Sequence, residues 1–407
     1  MGLQILLLGF ALIGLMSSTS FLVLVAASAM RYRRSRPSEP DNGGGAWPRV
    51  SLLKPLCGLE PGLESNLKSF FQQDYPAFEI VFGTRDASDP ALDAVRSLQK
   101  QFPQIPVQIV FSGVPQRPNA KVCSLEKMYA AAASDYIVIS DSDVHVAANY
   151  VRQVIAPLRE ERVGLVTCLY RGVPSGGVWA LLEALGMSVE MTSGVIVANM
   201  LEGMRFALGP TMATRRDVVD AIGGFSILAD YCADDYILGE RIHRLGKAVV
   251  LSHHVIDHIV VSRAFRPSIL HQVRWMKSTR FSRRMGHIGN GLTFAVPFGL
   301  IGLLWGLTTD HVAVGLALLA ASILNRALLA LISGGMVVQD RVSVGYCWLY
   351  PVRDLMGFAF WCASFFGSTI VWRDQRYRLQ SGGRMVKDGG SAQKKSASGT
   401  VAVDDLA

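Results

Sequence analysis

No Cys-x-x-Cys and no close cysteine pair occurs in this chain; its six cysteines (Cys57, Cys123, Cys168, Cys232, Cys347 and Cys362) are scattered. That spacing excludes a disulfide framework or a zinc ribbon and fits a reducing compartment. The chain carries no internal repeat. Residues 2–30 lack any charged side chain, a run too long for the apolar core of a signal peptide and long enough to span a bilayer.

What is present points the same way. Half of the 407 residues are hydrophobic and the mean hydropathy is +0.30, unusual for a soluble enzyme. The net charge of +8 calls for an anionic partner, but the basic residues lie beside apolar segments, where lipid headgroups rather than nucleic acid would meet them. Arg31, Arg33, Arg34 and Arg36 directly follow the first apolar run. By the positive-inside rule they place the N-terminus outside and the next residues in the cytoplasm.

A Pro/Gly/Asn-rich linker over 37–47 leads into a region of short β-branched runs alternating with helical stretches. Val50–Leu53, Phe78–Phe82, Val107–Phe111, Tyr136–Ser140 and Val163–Leu169 read as strands; Pro61–Gln73, Pro90–Gln101, Lys121–Ala133 and Asn149–Glu161 read as helices. Such alternation predicts an α/β domain with a mainly parallel sheet covered on both faces. Past Arg284 the chain turns apolar again over 291–309, 312–338 and 355–372. Crossing by all of these and by residues 2–30 would put the basic Arg373, Arg376, Arg378 and Arg384 outside, so one C-terminal stretch is expected to be re-entrant or interfacial. From Ser381 the Gly/Ser/Lys-rich tail is expected to be disordered.

Carboxylates recur in a fixed order: Asp86, then Asp141-Ser142-Asp143, then Asp234-Asp235, with Arg274-Trp275 after them. Asp141 and Asp143 end an apolar strand, where ligands of parallel sheets bind; Mg2+ or Mn2+ is commonly held by one or two carboxylates plus substrate phosphates. Asp pairs also serve at ordinary turns. Asp86 follows another strand, and since Asp89 is the more natural cap for the next helix, Asp86 is left to accept from a base or ribose. Lys121, opening a helix, suits a phosphate or pyrimidine, or else is a solvated lysine. Of Asp234 and Asp235, one can cap the helix they open and the other act as general base on a hydroxyl. A guanidinium such as Arg274 partners a diphosphate, while Lys277, Arg280, Arg283 and Arg284 read as an interfacial basic stretch. His253, His254, Asp257 and His258 lie in a strand-like segment where zinc catalysis is not expected, although one histidine could assist a divalent metal.

These residues, with Val-Ser-Leu-Leu-Lys54-Pro-Leu-Cys-Gly-Leu-Glu-Pro-Gly, Asn66-Leu67, Asp74-Tyr75-Pro76, Gly223-Gly224-Phe225 and Asp235-Tyr236, resemble glycosyltransferase family 21, the ceramide glucosyltransferase-like enzymes, over about residues 50 to 285. The segment from Cys168-Leu-Tyr-Arg-Gly to Leu208-Gly-Pro-Thr-Met looks most like the bacterial hopanoid-biosynthesis-associated branch. The resemblance implies a GT-A domain with N- and C-terminal transmembrane helices in a bacterial inner membrane, the catalytic domain being cytoplasmic. It implies inverting transfer of a hexose, of glucose or N-acetylglucosamine type, from a UDP-sugar to a lipid hydroxyl of ceramide or hopanoid. Asp235 would be the base, Lys54, Asp86, Lys121, Asp141, Arg274 and Trp275 would bind the donor, and Asp141 and Asp143 would hold Mg2+ or Mn2+. The family's Gln/Arg-x-x-Arg-Trp motif is incomplete, because His271 stands first and Gln272 one step late. Glu183 and Glu190, seven positions apart on one face of a helix, and His271 are acceptor-site candidates.

The expected division is a membrane helix over 1–30, a basic flexible linker over 31–48, the GT-A domain over 49–270, an interfacial segment over 271–290, membrane or re-entrant helices over 291–372 and the basic tail over 373–407. The competing readings are a processive polysaccharide synthase of family 2, which would carry more crossing helices, and a non-catalytic membrane scaffold, which would not need carboxylates at successive strand ends.

Overall fold

The computed structural model describes residues 2–36, 46–261, 264–372 and 375–388. Most of the expected linker and the end of the expected tail lie outside these residues. An eight-stranded sheet runs in the order β3-β2-β1-β4-β7-β6-β8-β5. Its strands are β1 (Val50–Pro55), β2 (Phe78–Thr84), β3 (Val107–Phe111), β4 (Tyr136–Ile139), β5 (Val144–His145), β6 (Val163–Ser175), β7 (Met212–Arg215) and β8 (Ala248–Val261). The β1–β2, β1–β4, β2–β3 and β6–β8 pairs are parallel. Here β7 enters antiparallel between β4 and β6, and β5 antiparallel beside β8.

Side chains of successive strand residues point to opposite faces, and both faces are buried. Val50, Leu52, Ile80, Phe82 and Val138 join one core with α2 (Leu63–Phe71) and α3 (Ala91–Gln101). Leu53, Val81, Ile137 and Ile139 join the other with α4 (Ala120–Ala131). Two-sided burial explains why these strands read as unbroken apolar runs. Asn149–Glu161, expected as one helix, is α5 (Tyr150–Ile155) followed by a 3-10 turn over Ala156–Arg159, with Pro157 in that turn removing a backbone donor.

The segment after β6 was not expected to be a membrane candidate. It forms α6 (Val178–Leu185), a π turn (Gly186–Met191) and α7 (Thr192–Glu202), apolar on average despite Glu183, Glu190 and Glu202, and mostly buried inside the protein. Next come α8 (Arg216–Ala221), α9 (Asp234–Arg244), α10 (Phe265–Ser282) and α11 (Arg284–Asn290). The boundary expected at residue 270 therefore falls inside α10. The helices long and apolar enough to cross a membrane, among the described residues, are α1 (Gly2–Arg34), the 178–202 helix and Val312–Val337, the last being α13 (Val312–Ala330) plus a π turn. At 26 residues Val312–Val337 measures ~39 Å. Before it, α12 (Val296–Thr308) has 13 residues, ~20 Å. α14 (Arg341–Gly345) and α15 (Tyr350–Ser364) follow.

Two expectations for the C-terminal region fail. Stretch 355–372 is not one membrane segment: α15 ends at Ser364 and Thr369–Trp372 is strand β9. Buried Arg353 and Asp354 in α15 make it a packed helix with polar partners rather than a lipid-facing one. Nor are residues 381–388 disordered, since β9, β10 (Gln375–Leu379) and β11 (Met385–Lys387) form an antiparallel sheet. That sheet is held by the loop before α9: Met385 N donates to Asp230 O at 2.6 Å, Cys232 N donates to Gly383 O at 3.2 Å, and Arg384 pairs with Asp230 at 3.0 Å. These polar contacts add to a small apolar cluster in which Ile370, Leu379 and Met385 are buried against Cys232, Phe281, Trp372 and Tyr377.

Candidate active site

The site lies beyond the C-terminal ends of β1, β2 and β4. Lys54 on β1 is fully buried; its Nζ donates to Asp141 O at 2.5 Å and sits 3.6 Å from the Phe70 ring centroid. Burial pushes its amine down to about 7, against the charges of Asp141 and Asp143. Asn119 starts α4 by accepting from Val122 N at 3.2 Å, and this turn delivers Lys121 to Asp141, with Nζ 2.5 Å from Oδ1. So Lys121 is not a solvated surface lysine. Burial disfavours its charge, but Asp141, Asp234 and Asp235 together hold its pKa above the ordinary value.

Asp234 and Asp235 open α9, as the sequence suggested. Asp234 is buried and accepts from Asn119 Nδ2 at 3.1 Å. Asp235 instead directs Oδ2 to Gly209 N at 2.8 Å, while Oδ1 accepts from Tyr236 N at 2.8 Å. A Cβ on Gly209 would lie 3.1 Å from that oxygen, so glycine is what permits the approach. Burial, then the neighbouring Asp234 charge, push the Asp235 carboxyl up to about 6, with Lys121 opposing. The result is a carboxylate poised for proton transfer near neutrality.

Asp141 and Asp143 point to different partners. Asp143 Oδ1 lies 3.4 Å from His258 Nδ1, which β5–β8 pairing brings alongside through the register Val144↔His258. Burial disfavours charge on both, yet their mutual attraction lowers the Asp143 pKa and raises that of His258. Both atoms are buried outside hydrogen-bonding geometry, and the Asp143 carboxylate oxygen keeps lone-pair capacity at the strand end. No group of three or more His, Cys, Asp or Glu side chains forms a metal cage among the described residues. An oxygen-rich strand end that leaves room for substrate phosphates fits Mg2+ or Mn2+ and does not fit zinc. The other histidines disperse because β8 bulges after Ser252, so that Leu169 pairs with Val255. There His253 stacks on Tyr32 with centroids 4.4 Å apart, and His254 turns toward Tyr150.

Arg274 on α10 lies 5.6 Å from the Trp372 ring and acts electrostatically on Cys232, just before Asp234. Trp275 packs against His271 at 4.5 Å, and His271 Nδ1 reaches Glu183 Oε1 at 2.9 Å. Glu183 also accepts from Ser268. The π turn breaks the helical period between them, so Glu190 leaves the face of Glu183 and pairs with Arg353 at 2.9 Å. Asp86 stands apart in an exposed turn, accepting from Ser88 N at 2.9 Å. Sequence reasoning missed Asn119, Gly209 and Tyr170, the last facing Asp235, Asp143 and Asp141, whose charges, after burial, raise its pKa. The Pro-Asn-Ala-Lys order was a usable capping signal for Asn119; Tyr170 and Gly209 lie in the Cys168-Leu-Tyr-Arg-Gly and Leu208-Gly-Pro-Thr-Met runs, but nothing local in those runs marks a role for either.

A curled sheet ending in paired carboxylates and lysines, with an aspartate-opened helix across from them, defines a GT-A glycosyltransferase. A solved mannosyltransferase from Pyrobaculum calidifontis, in complex with GDP-Man and Mn2+, shares this fold at a TM-score of 0.51 and 19% identity, over 87% of this chain and 99% of its own. The profile of Glycosyl transferase family 21 matches residues 8–385, and the chain belongs to that family. It is 26% identical to ceramide glucosyltransferase 1 of Caenorhabditis elegans over 93% of this chain and 82% of the relative. Identity to ceramide glucosyltransferase 3 of the same organism is 24%, over 89% and 79%.

Proposed function

We propose that the protein is a membrane-bound inverting glycosyltransferase that moves a hexose from a UDP-sugar to the hydroxyl of a lipid such as ceramide or a hopanoid. The observation that carries this reading is Asp235, a carboxylate raised to about 6 and held by Gly209 N beside Lys121 and Asp141. Asp235 takes the proton of the acceptor hydroxyl as its oxygen attacks the anomeric carbon. The bond from that carbon to the phosphate oxygen breaks, and UDP leaves with the electron pair. Lys121, Lys54 and Arg274 supply positive charge to the diphosphate. Mg2+ or Mn2+ would be held by Asp141 and Asp143 and, when bound, would neutralise charge on the leaving group. Asp86 is assigned to the uridine, Trp275 to the donor side, and His271 and Glu183 to the side from which the lipid arrives.

Membrane placement follows the same logic. Arg31, Arg33 and Arg34 end α1 and favour the cytoplasm for the catalytic domain. The β9–β11 sheet touches that domain through Asp230 and Cys232, so the chain between α10 and β9 crosses an even number of times. A re-entrant pair of α12, too short at ~20 Å to span a hydrocarbon core of about 30 Å, and α13 satisfies this, with α15 as a further non-crossing stretch. Substituting Asp235→Asn tests the reading. Turnover of UDP-hexose with lipid acceptor should vanish while UDP-sugar binding stays within about twofold; loss of binding instead would move Asp235 into the donor site.

A further inference from the structure

Beside the β2 end, a cavity of about 250 Å³ opens between the GT-A domain and the C-terminal sheet. Arg85, Arg117 and Ala120 line its inner side; Trp372, Tyr377 and Lys387 line the outer. Arg85 precedes Asp86 and Ala120 precedes Lys121, so the cavity runs from the turn assigned to uridine toward the lysine on Asp141. Its lining is cationic and aromatic with no carboxylate, a surface suited to a planar base carrying phosphate. Arg117 is tied to Asp230 at 2.7 Å, as is Arg384 of the C-terminal segment at 3.0 Å, so one aspartate joins the two walls. Arg274 lies over the Trp372 ring, linking this wall to the Arg-Trp motif.

We propose that the C-terminal sheet is the outer wall of the nucleotide pocket, with Trp372 and Tyr377 presenting aromatic surface to the base and Lys387 presenting charge to the phosphates. The proposal rests on the UDP-donor reading above. It makes a segment that follows the membrane helices part of donor recognition, and it gives β9–β11 a reason to be held by the loop before Asp234 and Asp235.

The experiment is calorimetric titration of the purified full chain with UDP and with uridine, with Mn2+ present. Trp372→Ala and Tyr377→Ala should each weaken UDP at least about fivefold, the low end for losing one base-stacking aromatic, and Trp372→Phe should restore most of it. Lys387 is exposed, so Lys387→Glu tests the wall without disturbing a core, even where an aromatic variant melts early. It should weaken UDP several-fold more than uridine. UDP affinity within twofold of the unaltered protein in Lys387→Glu and in the folded aromatic variants overturns the wall alone. Absence of UDP binding by the unaltered protein overturns the donor reading, and the wall with it.

Discussion

Replacing Lys121 by Gln removes the cation among Asp141, Asp234 and Asp235 while keeping a side chain of similar length. Lys121 is the principal opposing influence on the Asp235 carboxyl, which burial and Asp234 hold up at about 6. At an effective dielectric near 20, a unit charge some ångströms away is worth about 2 to 4 kcal/mol. Halved for the solvent reaching Asp235, that is ~1 to 2 kcal/mol, or about one pKa unit. A base must be ionised, so kcat/KM should fall as pH drops through about 6 in the unaltered protein. In Lys121→Gln the acid limb should begin about one unit higher, whatever the loss in the plateau. The assay is UDP release from a UDP-hexose with ceramide in detergent micelles, from pH 5 to 9. An acid limb that stays in place in Lys121→Gln would refute the coupling of Lys121 to Asp235.

Other positions give independent checks. Gly209→Ala puts a Cβ 3.1 Å from Asp235 Oδ2 and should cut kcat about tenfold or more, as small misplacements of reacting groups do, with UDP affinity unchanged by calorimetry. Asp354 pairs with Arg326 at 3.2 Å and accepts from Ala295 N and Val296 N. Asp354→Ala should therefore cost about 3–5 kcal/mol by stranding a buried charge, visible as a large drop in melting temperature in detergent; an unchanged melt would contradict the packing. Gly383 has φ of 83° and would meet Ser282 Oγ at 2.5 Å through a Cβ. Gly383→Ala should loosen the C-terminal sheet and speed tryptic cleavage at Arg378 and Arg384.

How much of this was legible in the sequence depended on how local the cause was. The apolar runs of β1, β2, β4 and β6 were legible because burial on both faces leaves little alternation to misread, and the half-buried edge strand β3 was legible from its β-branched residues. Asp141 and Asp235 were legible because each sits at the start or end of an element. By contrast β5 has two residues and β7 is Met-Ala-Thr-Arg; both owe their strand state to distant partners. The Asp143–His258 and Lys121–Asp141 contacts depend on register and topology, which no spacing encodes. Glu183 and Glu190 shared a face only under an ideal period that the π turn breaks. The C-terminal sheet read as tail because its apolar anchors, Ile370, Leu379 and Met385, are few and far apart in sequence and meet only when the strands pair.

The central claim is single displacement driven by Asp235, and the configuration of the product tests it most directly. Purified protein should convert an α-linked UDP-hexose and a lipid alcohol, with Mg2+ or Mn2+ present, into a glycolipid whose anomeric proton coupling in NMR reports the β linkage. An α-linked product would mean retention and would contradict the account.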